Sequence, residues 1–397
     1  MSRQQLPPQI KKVDVIDRKT GKRVVRYQLT LDSGVNPLTG KRQQIRRRYP
    51  TEKQARDALS EIGQQAATGQ FVPRKAVTVE ELCADWLISL HNARATTING
   101  YAYVLSPLRE RHGSLPAQRL TRPDLDDLLA ALRTGGTTTA KGQTRKPWSP
   151  RSLNAAIGAW RPVLAYGVDR RELAHNPAAA MKKAARQHKE MQTYTPAEIS
   201  RVLRAADKDR NGHLWFLALS GLRRGEIAGL MWSDIDYEAG TLTVARNRVE
   251  LGGGPTIVVE NEPKTVAARR TLPLDEGLSD VLKRASARQA AEKLALGAAY
   301  ADSGYVAVTE AGQPYTPGAL THLWRKITTT AGVQPIRLHD ARHSCGTALH
   351  LRGVPLAVIA KWLGHANPAI TARIYAHSQD EALAAAAASL GAVVTSS

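Results

Sequence analysis

Five helix-start signals punctuate the first half of this 397-residue chain. Thr51 is followed three positions on by Gln54, Thr78 by Glu81, Thr121 by Asp124 and Thr195 by Glu198, while Ser149 stands directly before Pro150. A hydroxyl at such a position accepts a backbone N–H of the first helical turn, the later side chain reaches back, and a first-turn proline has no donor to lose. Apolar residues recur at helical spacing behind Thr51, Thr78, Thr121 and Ser149: Ala55, Leu59, Ile62 and Ala66; Leu82, Trp86 and Leu90; Leu125, Leu128, Leu129 and Leu132; Leu153, Ile157, Trp160 and Leu164. A further helix is predicted over 96–111, with Tyr101, Leu105 and Leu108 inward. A chain punctuated in this way folds as short helices gathered into modules. Its length exceeds what one core holds, so two or three domains are expected.

Ahead of Thr51 the period is two. Val13 and Val15 alternate with polar residues, 17–21 read as a turn, and Val25, Tyr27, Leu29 and Leu31 alternate strictly with Arg26, Gln28 and Thr30. Ile45 and Tyr49 then face one way, with Gln44, Arg46 and Arg48 the other. The pattern predicts a three-stranded sheet packed on the helix that Thr51 opens. Residues 34–42 (GVNPLTGKR) are a hairpin loop and not a phosphate-binding loop. Five residues separate the two glycines where that motif has four, and Arg42 stands where Ser or Thr would bind magnesium.

Charge gives the sheet a meaning. The chain carries 56 Lys or Arg against 35 Asp or Glu, a net charge of +21, and residues 1–75 hold 17 of the basic residues against 6 acidic ones. An excess of that size points to a polyanion, above all nucleic acid. Arg26, Gln28, Gln44, Arg46 and Arg48 on the outer face are side chains that bond phosphates and base edges in a major groove. No run of eighteen apolar residues and no signal-like amino-terminal segment is present, so neither a membrane nor export is expected. Cys83 and Cys345, far apart, make no disulfide framework, which fits a reducing cytoplasm. Thr134 to Trp148 is a Gly, Thr and Lys-rich loop. Residues 178–191, with Lys182 and Lys183, read as a basic linker suited to a phosphate backbone.

The chemistry-bearing residues lie further on. A helix with Leu214, Leu217 and Leu219 runs into Gly221-Leu222-Arg223-Arg224-Gly225-Glu226. Strands are predicted at 241–244, 257–259 and 270–274, with Pro263-Lys264-Thr265 in the turn before the last. His339 and Arg342, at i and i+3, project from one helix face. Gly353-Val354-Pro355 breaks that helix, Leu356, Ile359, Ala360 and Leu363 form the next, Gly364 ends it, and His365 and Tyr375 follow. Singly, each has a bland explanation: a packed tyrosine, a solvated His/Arg face. His339 and His343 could form a zinc pair, though no glutamate follows His339 to complete the HExxH form.

The order Arg223, Lys264, His339-x-x-Arg342, Gly364-His365, Tyr375 resembles the active-site signature of the tyrosine recombinase (phage integrase) family. The resemblance implies an α+β multidomain chain. Residues 1–75 would be an arm-type DNA-binding domain, 76–178 a helical core-binding domain and 179–194 a basic linker. Residues 195–378 would be a mainly α catalytic domain with a small antiparallel sheet, and 379–397 a tail that docks on a neighbouring protomer through Leu383, Ala387 and Leu390. It implies site-specific recombination without cofactor, metal or ATP, on double-stranded DNA at core-type and arm-type sites, by a tetramer, with a directionality factor as a possible accessory. In that scheme Arg223 and Arg342 grip the non-bridging oxygens and Glu226 braces Arg223. Tyr375 is the nucleophile, His339 the base, His365 a phosphate hydrogen-bond donor and Lys264 the proton donor to the leaving oxygen. A type IB topoisomerase shares the chemistry without needing the basic sheet. A DNA-binding regulator with an inert site would form no covalent adduct, and a hydrolase using His339 and His343 would lose activity to a chelator.

Overall fold

The computed structural model describes residues 5–16, 21–35, 42–67, 77–185, 191–252, 257–261 and 269–365. The chain divides into two compact units, Met1–Gln187 and His188–Ser397.

In the first unit, strands β1 (Ile10–Ile16), β2 (Arg23–Val35) and β3 (Arg42–Tyr49) form an antiparallel sheet in that order. Helix α1 (Glu52–Ala67) packs on it, started by Thr51, whose hydroxyl accepts from the Gln54 N–H at 3.3 Å. Directly paired residues of antiparallel strands share a face. Ile10 therefore sits with its partner Leu29 in a small core with Ala55 and Ile62, against which Tyr27, Leu31 and Tyr49 pack. Val13 pairs with Arg26 and Val15 with Val24, which puts both valines on the outer face; Ile10 is the buried residue of β1. Arg26, Gln28, Arg46, Arg48 and Gln44 share that outer face. Gln28 pairs with Arg48, whose Nε donates to the Gln28 Oε1 at 3.1 Å.

Four helices build a separate core: α2 (Val79–Ser89), α3 (Ala95–His112), α4 (Arg122–Thr134) and α5 (Pro150–Asp169). Their heptad-like apolar positions converge around Trp160, Leu82, Leu105, Leu128 and Ile157, with capping boxes at Thr78 and Thr121. The loop from 135 to 148 is tied down. Arg145 pairs with Glu110, and Trp148 stacks on Tyr103 with centroids 5.8 Å apart. The segment after α5 is tied down as well. Met181 is buried, Arg161 donates to the carbonyls of Ala178 and Met181, and the Asn154 amide both accepts from and donates to the Ala184 backbone at 2.8 and 2.9 Å. Lys182 and Lys183 are exposed beside these anchors.

The second unit opens with α6 (Pro196–Asp207), capped by Thr195 and Glu198, then α7 (Gly212–Leu219), buried and apolar but for His213, then the short α8 (Arg224–Gly229). Strands β4 (Ile235–Asp236), β5 (Thr241–Val244) and β8 (Arg270–Pro273) make an antiparallel sheet in the order β4-β5-β8. Between them β6 (Asn247–Leu251) and β7 (Ile257–Asn261) form a two-stranded ribbon. β6 escapes the periodicity because all five residues are partly exposed. Four helices complete the unit: α9 (Glu276–Leu296), α10 (Pro317–Thr330), α11 (Leu338–Leu351) and α12 (Leu356–Leu363). Trp215 and Trp324 sit at the centre of the core, 5.6 Å apart, and the Trp324 indole N–H donates to the Ile336 carbonyl at 2.8 Å. Among the described residues no helix is long and apolar enough to cross a membrane.

Candidate active site

The site is built around the end of α12. Gly364 there takes a left-handed conformation, φ +63°, which a residue with a Cβ adopts only under strain. The Gly364 N–H returns to the Lys361 carbonyl at 3.1 Å and the His365 N–H to the Ala360 carbonyl at 2.9 Å. This is a Schellman ending, and it leaves the carbonyls of residues 362, 363 and 364 pointing out of the helix without helical partners.

Three guanidiniums meet those carbonyls. Arg270 donates from Nε to the Trp362 oxygen at 2.7 Å, Arg342 from Nη2 to that of Leu363, and Arg223 from Nη2 to that of Gly364 at 2.8 Å. Cations suit this end of a helix, where the peptide dipoles present their negative pole. The three arginines come from three elements: Arg223 caps α8, Arg270 opens β8 and Arg342 lies one turn into α11. Arg342 is only 1% exposed and also donates to the Gly221 carbonyl at 2.7 Å. Gly221 has φ +98°, and a Cβ there would lie 2.8 Å from Leu363 Cδ2, so the turn before Arg223 admits no side chain. The Trp362 indole, donating to the Ser220 carbonyl at 2.8 Å, fastens the same turn to α12.

One carboxylate lies among these cations. Glu226, 4% exposed, accepts from the Arg223 Nη1 at 2.5 Å and its backbone N–H at 2.8 Å, and from Arg270 through two bonds of 3.1 and 3.0 Å. Burial opposes its charge, but the bonds and charge of Arg270, then Arg223 and Arg342, hold the carboxyl down at about 2. Among the described residues, three guanidiniums against this carboxylate leave the site cationic, and the histidines respond. Burial, followed by the charges of Arg342 and Arg223, holds His365 down at about 4. Burial and then Arg342 also lower His339. His343, buried, stands edge-on to His339 at 4.8 Å, and burial and then His339 hold it at about 4. Both expected site imidazoles are therefore neutral near pH 7, able to accept one proton or donate one hydrogen bond.

The structure thus brings together Arg223, Glu226, His339, Arg342 and His365. Lys264 and Tyr375 lie outside the described residues. Arg270 is the member that sequence reading missed, although a cue existed. β8 alternates buried and exposed, so Arg270 shares the inward face of Leu272, and a buried arginine requires a partner. What the assembly can do is bind an anion with two oxygens within reach of neighbouring guanidiniums, beside two neutral imidazoles.

Residues 192–382 match the family model described as the phage integrase family. A XerC-like tyrosine recombinase of Caldanaerobacter subterraneus subsp. tengcongensis is 35% identical over 245 residues, 58% of this chain and 63% of that protein. The chain therefore spans somewhat under two thirds of that relative. The ICEBs1 integrase of Bacillus subtilis is 24% identical over 361 residues, covering 88% of this chain and 93% of its own length. Among solved structures, the integrase of the Tn1549 transposon in complex with transposon right end DNA shares the fold, with a TM-score of 0.61 at 20% identity over 77% of this chain and 98% of that one.

Proposed function

We propose that the chain, whose residues 192–382 match the phage integrase family model, is a tyrosine recombinase: a site-specific DNA recombinase that integrates, and can excise, a phage or other mobile element. The observation that carries this reading is the meeting of Arg223 and Arg342 at the end of α12, beside His339 and His365.

Attack on a DNA phosphodiester builds charge on two non-bridging oxygens. Planar, permanently charged guanidiniums match that pair of acceptors, and lysine does so less well. Arg223 and Arg342 take this role, exchanging backbone carbonyls for phosphate oxygens. Tyr375 is the nucleophile: its phenolic oxygen bonds to phosphorus as the 5′ oxygen leaves, giving a 3′-phosphotyrosyl ester. A phenol titrates near ~10 and so must give up its proton. His339, kept neutral by burial and by Arg342, accepts that proton. His365, neutral for the same reasons, donates a hydrogen bond to a non-bridging oxygen. Lys264 protonates the departing oxygen. One ester replaces another, so a second strand's 5′ hydroxyl can reverse the step without ATP or metal.

The partners in this reading are double-stranded DNA at core-type sites and, through Arg26, Gln28, Gln44, Arg46 and Arg48, at arm-type sites. Lys182 and Lys183 lie along the backbone. Four copies assemble on DNA in a bacterial cytoplasm, and an accessory directionality factor sets the outcome. The test is to incubate the protein with nicked attachment-site duplex and a chelator. The expected result is a denaturation-resistant DNA adduct that Tyr375→Phe abolishes. DNA binding with no adduct would leave only a regulator, and an adduct surviving in Tyr375→Phe would remove the assigned nucleophile.

A further inference from the structure

Arg223 has two competing attachments. Its guanidinium must face a phosphate, yet one of its Nη atoms lies 2.5 Å from the Glu226 carboxylate. A carboxylate holding a single arginine in a buried place takes it in a two-pronged grip, and the pair presents no net charge. In this molecule the grip goes to Arg270 instead. Arg270, 8% exposed, bonds both Glu226 oxygens, at 3.1 and 3.0 Å, while Arg223 is 31% exposed and keeps a face toward solvent. A further Arg270 contact, from Nε to the Trp362 carbonyl at 2.7 Å, sets the last turn of α12, from which His365 follows. One buried side chain thus fixes the Glu226 carboxylate that aligns Arg223 and the helix end that presents His365.

We propose that Arg270 is a positioning residue for strand cleavage, holding Glu226 and the end of α12 so that the Arg223 guanidinium is left facing the scissile phosphate. This rests on the recombinase reading above. Without Arg270, Glu226 turns its full charge on Arg223 and draws it back, and the Trp362 carbonyl loses its donor. DNA affinity, spread over many phosphate contacts, barely changes. Cleavage suffers, because it depends on ångström placement.

The test uses the full chain and nicked attachment-site duplex, with gel-shift affinity, single-turnover adduct formation and thermal melting measured for each variant. Arg270→Met is expected to slow adduct formation roughly 30- to 100-fold, the scale on which an ångström of misplacement acts, with Kd within about threefold of wild type. Arg270→Lys keeps the charge and loses the fork, so it is expected to be about tenfold slow with Kd unchanged. Adding Glu226→Gln to Arg270→Met should slow the reaction no further, because the neutral amide no longer draws Arg223 back. Arg270→Met cleaving within about threefold of wild type, or losing affinity and rate together in step with folded protein, overturns the assignment. If Arg270→Met does not fold, Arg270→Lys decides alone, and a wild-type rate in it overturns the assignment. A wild-type chain that forms no adduct overturns the recombinase reading and this one with it. A normal wild-type adduct with an indifferent Arg270 overturns this one only.

Discussion

Replacing Glu226 by Gln should cost the carboxy-terminal unit stability at neutral pH, and measurably less at acid pH. Glu226 is buried between Arg223 and Arg270, and removing one partner of a buried ion pair costs about 3–5 kcal/mol, because the other charge is left uncompensated. The pH dependence follows from the carboxyl itself, held at about 2 in the fold against an ordinary 4.5. A group depressed in this way stabilises fully above the unfolded value and loses that contribution as pH falls through the folded one. The full contribution is about 3.4 kcal/mol. At pH ~3.5 the unfolded chain has taken up the proton and the fold has not, so about 2 kcal/mol remains. The gap between wild type and Glu226→Gln should therefore narrow by about 1.4 kcal/mol, tenfold in the unfolding constant, between pH ~7.5 and ~3.5. Histidine titrations are common to both proteins and cancel in the difference. The assay is urea unfolding at both pH values, with amide exchange of the peptide 212–229 identifying the transition of this unit. A gap that stays constant across the range, or a variant as stable as wild type, would refute the electrostatic account of Glu226.

Other perturbations probe the surrounding structure. Gly221→Ala meets a φ of +98° and Leu363 Cδ2 at 2.8 Å. Strain and overpacking together should cost about 2–4 kcal/mol, read as a lowered melting temperature, and an unchanged melt would contradict the tight turn. His213, buried with Nε2 3.1 Å from the Val306 carbonyl, is held at about 4 by burial, against an ordinary 6.5. The unfolded chain then binds its proton first, so stability falls as pH drops from 6.5 toward 4. His213→Asn should flatten that slope by about 1.4 kcal/mol per pH unit, and urea midpoints at pH ~4.5 and ~6 check it. Asn154→Ala strips both hydrogen bonds from the Ala184 backbone, at about 1–3 kcal/mol, and should speed amide exchange around 178–185 without disturbing α2. Equal protection there in both proteins would mean the anchor is idle.

Much of this architecture was legible because its signals are local. Capping residues three apart in sequence are three apart on the helix, so the starts at Thr78, Thr121 and Thr195 are where hydroxyl chemistry requires them. His339, Arg342 and Gly364-His365 declared themselves through spacing and a terminating glycine. The outer face of the amino-terminal sheet followed from the strict alternation in β2. In β1 the alternating Val13 and Val15 fall on that outer face and Ile10 is buried instead, a register set by pairing with Leu29. Residues 178–184 look like a charged linker because Lys182 and Lys183 dominate the composition, while the anchors, Asn154 and Arg161, lie on α5, 30 and 17 residues before the backbone groups they hold. Arg270 was easy to pass over for a related reason, despite the alternation of β8. Its partner Glu226 is 44 positions away, and one more arginine in a basic run attracts no notice until a fold buries it.

The same geometry means the arginines' structural and chemical roles cannot be separated by truncation alone. A helix of eight residues ending in a Schellman turn has outward carbonyls that need donors, and here the donors are the groups that would hold phosphate. Arg342, 1% exposed and bonded to the carbonyls of Gly221 and Leu363, joins α11 to the turn before α8 and to the end of α12. Shortening it leaves two buried carbonyls unpaired, each costing about 1–3 kcal/mol, before any effect on phosphate is counted. Arg223, 31% exposed, gives up one carbonyl and stays solvated. A loss of cleavage in an Arg223 variant therefore reports chemistry more directly than the same loss in an Arg342 variant, where the helix end that places His365 is released as well.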